Sequence, residues 1–268
     1  MISGTGPTLL DKRDRSYHRS FGTISYELDN IEYNYDAGLT IPDQMADGFP
    51  FGCTGYTQAE VAGDEDKSVY SPAYVYQKTC DFEGHPANQG CDIRNAAKVG
   101  IVYGMKRPGE DDNTALNHRR GPFYSVDHLE GYDWFDSFRA ALRNGRRPIS
   151  IGTIWFKEWG KPQNGILTSF AYDGNRGNYP WHNYKICGEK IINEQPYLIA
   201  KTWQGRGYGD NGWCYIPRDV FNKAFDIYGT IGIIQPPFAP KDVFTIKLTI
   251  LQFALLDLGR LIGLKAYA

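Results

Sequence analysis

The chain has 268 residues and a formal net charge of −2, and 41% of its residues are hydrophobic and 15% aromatic. This length allows one large domain or a domain of two lobes, and this apolar content allows a sizeable core. No basic stripe or acidic tail accompanies the near-neutral charge, so we expect no nucleic-acid partner.

Helical patterns dominate the first half of the chain. Residues 1–40 are polar and aromatic and predict an extended arm. Beyond the arm, favourable residue types, a proline near a first turn and terminal glycines mark helix starts and ends. Four helices are predicted in this way: CTGYTQAEVAGDED from Cys53, AYVYQKTC after Ser71 and Pro72, DIRNAAKVG ending at Gly100, and DWFDSFRAALRNG ending at Gly145.

Past residue 148 the pattern changes to short runs rich in β-branched and aromatic residues. Gly, Pro and Asn separate these runs, as they separate strands. The predicted strands lie in PISIGTIWF, HNYKICGE, PYLIAKTW and GWCYIP. Helices followed by antiparallel strands indicate an α+β fold, with a helical first lobe, a β second lobe and a cleft between them.

Cys53 and His182 are the candidates for chemistry. A cysteine at a helix start is favoured as a thiolate, and a nearby imidazole can take its proton. Cys53 opens the first helix after the loop DGFPFG, and His182 opens a strand, from which we expect it to project at the rim of the second lobe. The alternatives are a small buried cysteine and a structural histidine. The remaining histidines lie in polar loops or turn-like stretches: His18, His85, His118 and His128.

Five cysteines in a chain of this length do not make a disulfide framework. Cys80 and Cys91 can pair if the compartment is oxidising. They flank His85, but no His or Cys pair has the spacing typical of a zinc site, so we expect no metal and no cofactor.

Several segments in a fixed order resemble the papain-like, or C1-type, cysteine peptidases. The resemblance runs over residues 42–217 and implies a divergent bacterial or viral-type member with a two-lobed fold. The segments that carry it are PDQMADGFPFGCTGYTQAE, SPAYVYQKTC, GCDIRNAAKVGIV, FRAALRNGRRPISIGT, PWHNYKICGEK and PYLIAKTWQGRGYGDNGWCYIP.

The resemblance implies roles for individual residues. Cys53 is the implied nucleophile, His182 the general base and Gln44 the donor to the oxyanion, which would require the segment DGFPFG, residues 47–52, to loop out. Thr202 stands where the family has its histidine-orienting asparagine. Gln204 or Thr202 could take that role, because alternation along a strand puts both on one face.

The implied function is hydrolysis of peptide bonds in a peptide or protein substrate through an acyl-enzyme. Two alternatives stay open. One is a catalytically altered module with a structural or assembly role, because fold does not guarantee chemistry. The other is a related thiol acyl-transfer enzyme or cell-wall amidase.

The division of the chain follows from these patterns. An arm at 1–40 precedes a peptidase domain at 41–235, and 236–268 forms a Pro-rich linker and an apolar docking segment. The apolar segment 241–268 predicts docking onto an assembly partner, such as a chain of a virus particle. The alternatives are a membrane surface and packing on the domain itself. The N-terminus lacks the apolar core of a signal peptide, and no apolar run spans a bilayer, so we expect a cytoplasmic or virion-associated protein.

Overall fold

The computed structural model describes Ser16, Tyr17, Ser20 and residues 30–228 and 232–237. The helices are α1 (Cys53–Asp66), α2 (Pro72–Glu83), α3 (Ile93–Val102), α4 (Asp112–Ala115), α5 (Trp134–Gly145) and α6 (Arg218–Tyr228). The strands are β1 (Tyr33–Asn34), β2 (Tyr124–Val126), β3 (Ile149–Ile154), β4 (Trp181–Ile192), β5 (Gln195–Lys201), β6 (Trp213–Pro217) and β7 (Gly232–Ile234). Short 3-10 turns lie at Leu116–His118, Lys157–Gly160 and Arg176–Asn178.

The first lobe is built on α1, most of whose residues are buried, with α2 and α3 packed beside it. The helix starts at Cys53, and α5 ends at Gly145, as the sequence predicts. The prediction that α3 ends at Gly100 is wrong. Gly100 lies inside the helix, where a Cβ would come within 2.9 Å of the Arg120 side chain. That glycine therefore serves close packing and does not cap the helix.

The strands form one antiparallel sheet in the order β2-β7-β3-β4-β5-β6. Strand β4 is the longest and lies between β3 and β5: its residues 181–186 pair with β3, and its residues 185–192 pair with β5. Helices α5 and α6 pack against the sheet and close the main hydrophobic core. The expected α+β order of helical lobe and β lobe is confirmed, although α6 adds a helix to the second half that the sequence reading did not include.

Residues 33–40 pack onto the domain. Strand β1 pairs with residues 188–189 of β4, which lie past the part of β4 that pairs with β3. Asn34 lies opposite Gly188. A Cβ on Gly188 would lie 2.1 Å from the carbonyl oxygen of Tyr33, so glycine is required for this approach. Most of the predicted arm and the whole predicted docking segment 241–268 lie outside the described residues.

A buried group of charges follows directly after β1. Lys185 Nζ lies 2.5 Å from a carboxylate oxygen of Asp36 and 2.5 Å from one of Asp64. Lys201 Nζ lies 3.1 Å from Asp36 and 3.2 Å from Glu60. This charge network joins the segment after β1 to α1, β4 and β5. Within the described part of the chain, no helix has both the length and the apolar character to cross a membrane.

Candidate active site

Cys53 is the first residue of α1, and it is fully buried. The preceding Gly52 offers no side-chain cap, and the first turn carries no acidic residue. Backbone N–H groups at a helix start favour a negative charge there, so this position lowers the cost of a thiolate. The structure thus places Cys53 where the sequence reading expects it.

His182 is the second residue of β4, but it does not project from an exposed rim. Its side chain is fully buried, because Trp155 packs edge-on against the ring with the two centroids 4.7 Å apart. Within the described residues, neither ring nitrogen has a hydrogen-bond partner. Burial lowers the pKa of His182 to about 3, so the imidazole is neutral at neutral pH. A neutral imidazole has a free lone pair, as a general base must.

The residues that follow Cys53 and His182 contact each other. Asn183 Nδ2 donates a 2.6 Å hydrogen bond to Thr54 Oγ1, and that hydroxyl donates to the carbonyl of Cys91 at 3.0 Å. Both side chains are buried. This contact joins the start of α1 to the start of β4 and brings the backbone at Cys53 and at His182 to the same part of the molecule.

Trp203 makes a second connection between the same two elements. Its Nε1 donates to the carbonyl of Asn183 at 2.8 Å and to Thr57 Oγ1 at 3.0 Å. Thr57 Oγ1 in turn donates to the carbonyl of Cys53 at 2.7 Å. The Trp203 ring also packs in one apolar cluster with Cys53 and Tyr56. The indole therefore fixes the position of the first turn of α1 against β4.

Gln44 is buried, and the segment DGFPFG, residues 47–52, forms turns between Gln44 and the helix start at Cys53. Its backbone N–H donates to the carbonyl of Trp203 at 3.0 Å. Its side-chain Nε2 donates to the carbonyl of Pro50 at 3.1 Å, while Oε1 lacks a partner within the described residues. The amide that would donate to an oxyanion is thus engaged by the looped-out segment.

Thr202 and Gln204 follow β5, which ends at Lys201, so strand alternation does not place them on one face. Thr202 is fully buried and its hydroxyl lacks a partner within the described residues. The buried Nε2 of Gln204 likewise lacks one. Neither side chain is hydrogen-bonded to His182 in this arrangement.

The other cysteines and histidines lie in different surroundings. Burial in the sheet raises the pKa of Cys214 to about 12 and that of Cys187 well above its usual value. His118 lies 3.1 Å from a carboxylate oxygen of Glu110, and His128 packs against an indole. His18 lies outside the described residues.

Three residues around the site were not singled out from the sequence: Trp155, Asn183 and Trp203. Asn183 and Trp203 stand next to candidates that were, in PWHNY and AKTWQG. Trp155 lies just past β3, in register with the start of β4, and only strand pairing reveals that it covers His182.

Comparison with solved structures decides the fold. Xylellain, a cysteine protease from Xylella fastidiosa, superposes with a TM-score of 0.70 at 15% identity, covering 89% of this chain and 97% of its own. Procathepsin B S9 from Trypanosoma congolense gives a TM-score of 0.64 at 14% identity and coverages of 88% and 86%. Bromelain from Ananas comosus, solved with the inhibitor E64, gives 0.55 at 14% identity, with 76% and 98% covered. The chain has the papain-like fold.

The papain-like fold is therefore confirmed by structure and not by sequence similarity. No protein-family model matches the sequence, and no curated protein matches it. At identities this low, the likeness establishes the architecture and leaves the chemistry to the residues of this chain.

Proposed function

We propose that this chain is a cysteine peptidase that hydrolyses peptide bonds, with Cys53 as nucleophile and His182 as general base. The contact between Thr54 and Asn183 carries this proposal, because it joins the two elements that begin with these residues in a papain-like fold. The helix start at Cys53 and the neutral ring of His182 support the two roles.

The proposed reaction needs no cofactor. His182 accepts the thiol proton of Cys53, and the sulfur attacks the carbonyl carbon of the scissile bond. The tetrahedral intermediate collapses, and the leaving amine takes the proton from His182. Water then hydrolyses the thioester by the same proton route and releases the acid product and the free thiol.

Gln44 and the backbone N–H of Cys53 are the proposed oxyanion donors. For this role the Gln44 amide must exchange its hydrogen bond to Pro50 for one to the substrate. Loss of such a donor costs about a hundredfold or more in rate. Gln204 and Thr202 are the proposed orienting partners of His182, and we propose that Gln204 matters more, since its amide carbonyl is closer to that of an asparagine.

A catalytically altered module with an assembly role is the second candidate. The burial of Cys53, the unpaired nitrogens of His182 and the engaged amide of Gln44 favour it. A related thiol acyl-transferase or cell-wall amidase is a third, because it would use the same Cys–His chemistry. Membership of a bacterial or viral branch and location in a virus particle are further proposals that rest on the sequence patterns.

Hydrolysis of a mixed peptide library, read by mass spectrometry of the products, tests the proposal. We expect the full chain to cleave peptides, and Cys53→Ala and His182→Ala to abolish cleavage while leaving the circular dichroism spectrum unchanged. Cys187→Ala, which removes another buried thiol, is the matched control and should retain cleavage. Full activity in Cys53→Ala excludes the mechanism. A folded wild type that leaves the peptide library intact but cleaves cell-wall peptides favours the amidase. A folded wild type that cleaves neither substrate favours the altered module.

A further inference from the structure

A second group of reactive side chains lies in the helical lobe, beside the first turn of α1. Cys80, His85 and Cys91 each offer one ligand atom, and these atoms lie within 4.8 Å of one another. The two sulfurs are 3.4 Å apart, and Cys91 Sγ is 4.0 Å from His85 Nε2. Cys80 and Cys91 are buried, and His85 is largely so.

These separations fit the edges of a zinc tetrahedron. Zinc–sulfur bonds of about 2.3 Å and zinc–nitrogen bonds of about 2.0 Å give edges of about 3.8 Å between two sulfurs and about 3.5 Å between sulfur and nitrogen. The Cys80–Cys91 and Cys91–His85 separations are within about half an ångström of these lengths. Thiolate and imidazole are also the ligands that zinc prefers.

The turn after α2 creates this arrangement. Gly84 has a φ of 74°, a left-handed conformation that favours glycine, and the N–H groups of Gly84 and His85 both donate to the carbonyl of Cys80. The chain therefore folds back at the end of α2, and the ring of His85 comes to lie beside Cys80 and Cys91. The spacing Cys-x4-His-x5-Cys is not a familiar zinc pattern, so the sequence alone predicted no metal here.

The surroundings of His85 prepare its Nε2 for a cation. Nδ1 lies 2.9 Å from the carbonyl of Pro86, to which it can donate, so Nε2 is the nitrogen available to bind a metal. Nε2 lies 2.9 Å from a carboxylate oxygen of Glu83, with which it pairs when it carries a proton, and a zinc ion would replace that proton. The other Glu83 oxygen accepts hydrogen bonds from the Asp92 backbone and the Asn95 side chain, which fixes the carboxylate.

We propose that Cys80, His85 and Cys91 bind a zinc ion, with Glu83 supplying the fourth ligand directly or through a water molecule. Binding releases the two thiol protons, and the Nε2 proton when His85 carries one, to solvent, and no electrons are transferred. The ion would join the end of α2 to the start of α3. Because the carbonyl of Cys91 accepts from Thr54, the site also supports the first turn of α1.

Metal content and cobalt spectra of the full-length chain test this proposal in a Cys53→Ala background, which removes any metal bound by the proposed nucleophile. After reduction with a phosphine, loading with zinc and dialysis, we expect one zinc per chain. Replacement by Co²⁺ should give the ultraviolet charge-transfer absorption of thiolate ligands. Cys80→Ser and Cys91→Ser should lose the ion, and His85→Ala should weaken binding at least about tenfold. The controls Cys187→Ala and His118→Ala should retain the ion.

Three results would overturn the zinc site. The first is a chain that shows neither bound zinc nor thiolate–cobalt absorption, and the second is zinc retained in Cys91→Ser. The third is a zinc-free protein isolated with a Cys80–Cys91 disulfide that does not take up zinc after reduction. The cobalt spectrum needs only the background protein, so it remains decisive if a ligand variant fails to fold. None of these readouts depends on peptidase activity.

Discussion

At the scale of single residues, burial determines the state of the candidate base. His182 lies under Trp155, and the only cause of its lowered pKa is the loss of water around the ring. A neutral ring keeps the lone pair that accepts a proton. Because burial disfavours the charged imidazolium, it also disfavours a lasting thiolate–imidazolium pair. We infer that the proton passes from Cys53 to His182 as an electrophile, a substrate or an alkylating agent, reaches the sulfur, and that a stable ion pair does not precede this step.

The buried ring also makes stability depend on pH. The pKa of His182 in the folded chain, about 3, is below the value of about 6.5 expected in the unfolded chain. The contribution of the neutral ring is therefore complete above about pH 6.5 and is lost as the pH falls toward 3, by about 1.4 kcal/mol per pH unit. Urea unfolding of wild type and His182→Gln between these pH values should show the wild type losing stability relative to the variant. A difference that is constant with pH would contradict the buried neutral ring.

The residues near the site show what sequence can predict. Cys53 and His182 were identified because helix and strand starts are local features with recognisable residue types. Burial of His182 under Trp155 depends on the pairing of β3 with β4, which no local pattern encodes. The proposed zinc site was not predicted for the same reason, since one left-handed residue, Gly84, determines where His85 lies.

At the scale of elements, the buried charge network holds the segment after β1 to α1 and the sheet. Lys185 and Lys201 are fully buried, and carboxylates of Asp36, Glu60 and Asp64 surround them. Burial alone would raise the pKa of Asp36, but the two lysines hold it below its usual value. Burial raises the pKa of Asp64 despite Lys185. Neither acid could remain charged at low cost without these cations.

Removal of one lysine should therefore be costly. Lys185→Met leaves two carboxylates buried without their nearest cation and should lower the free energy of unfolding by about 3–5 kcal/mol. The matched control is Lys78→Met, which removes an ion pair with the exposed Asp112 and should cost less than about 1 kcal/mol. Denaturant unfolding at neutral pH measures both. Equal losses in the two variants would show that the network contributes no more than a surface pair.

Element types were predicted better than element ends and partners. Four predicted helices and four predicted strands are present, because turn residues and hydrophobic spacing mark them locally. The short β2 and β7 pair with each other across more than a hundred residues, and α6 packs on the sheet in a half that reads as strands. Such elements are stabilised by tertiary contacts more than by their own propensity.

At the scale of the whole molecule, the apolar C-terminal segment, residues 241–268, is the part of the chain for which we propose a docking role. Truncation after Pro240 tests the proposal that residues 241–268 dock onto a partner. We expect the shortened chain to keep its melting temperature and lose self-association or membrane binding, measured by light scattering and vesicle sedimentation against the full chain. A lower melting temperature of the truncated monomer would show that the segment packs on its own domain.

The central claim is that Cys53 is a nucleophile activated by its helix start and by His182. Iodoacetamide labelling at neutral pH, followed over time by peptide mapping, tests this most directly. We predict that Cys53 is modified before Cys187 and Cys214, which are buried in the sheet, and before Cys80 and Cys91. We also predict that His182→Ala slows the modification of Cys53 alone. Preferential modification of another cysteine, or an unchanged Cys53 rate without His182, would contradict the account.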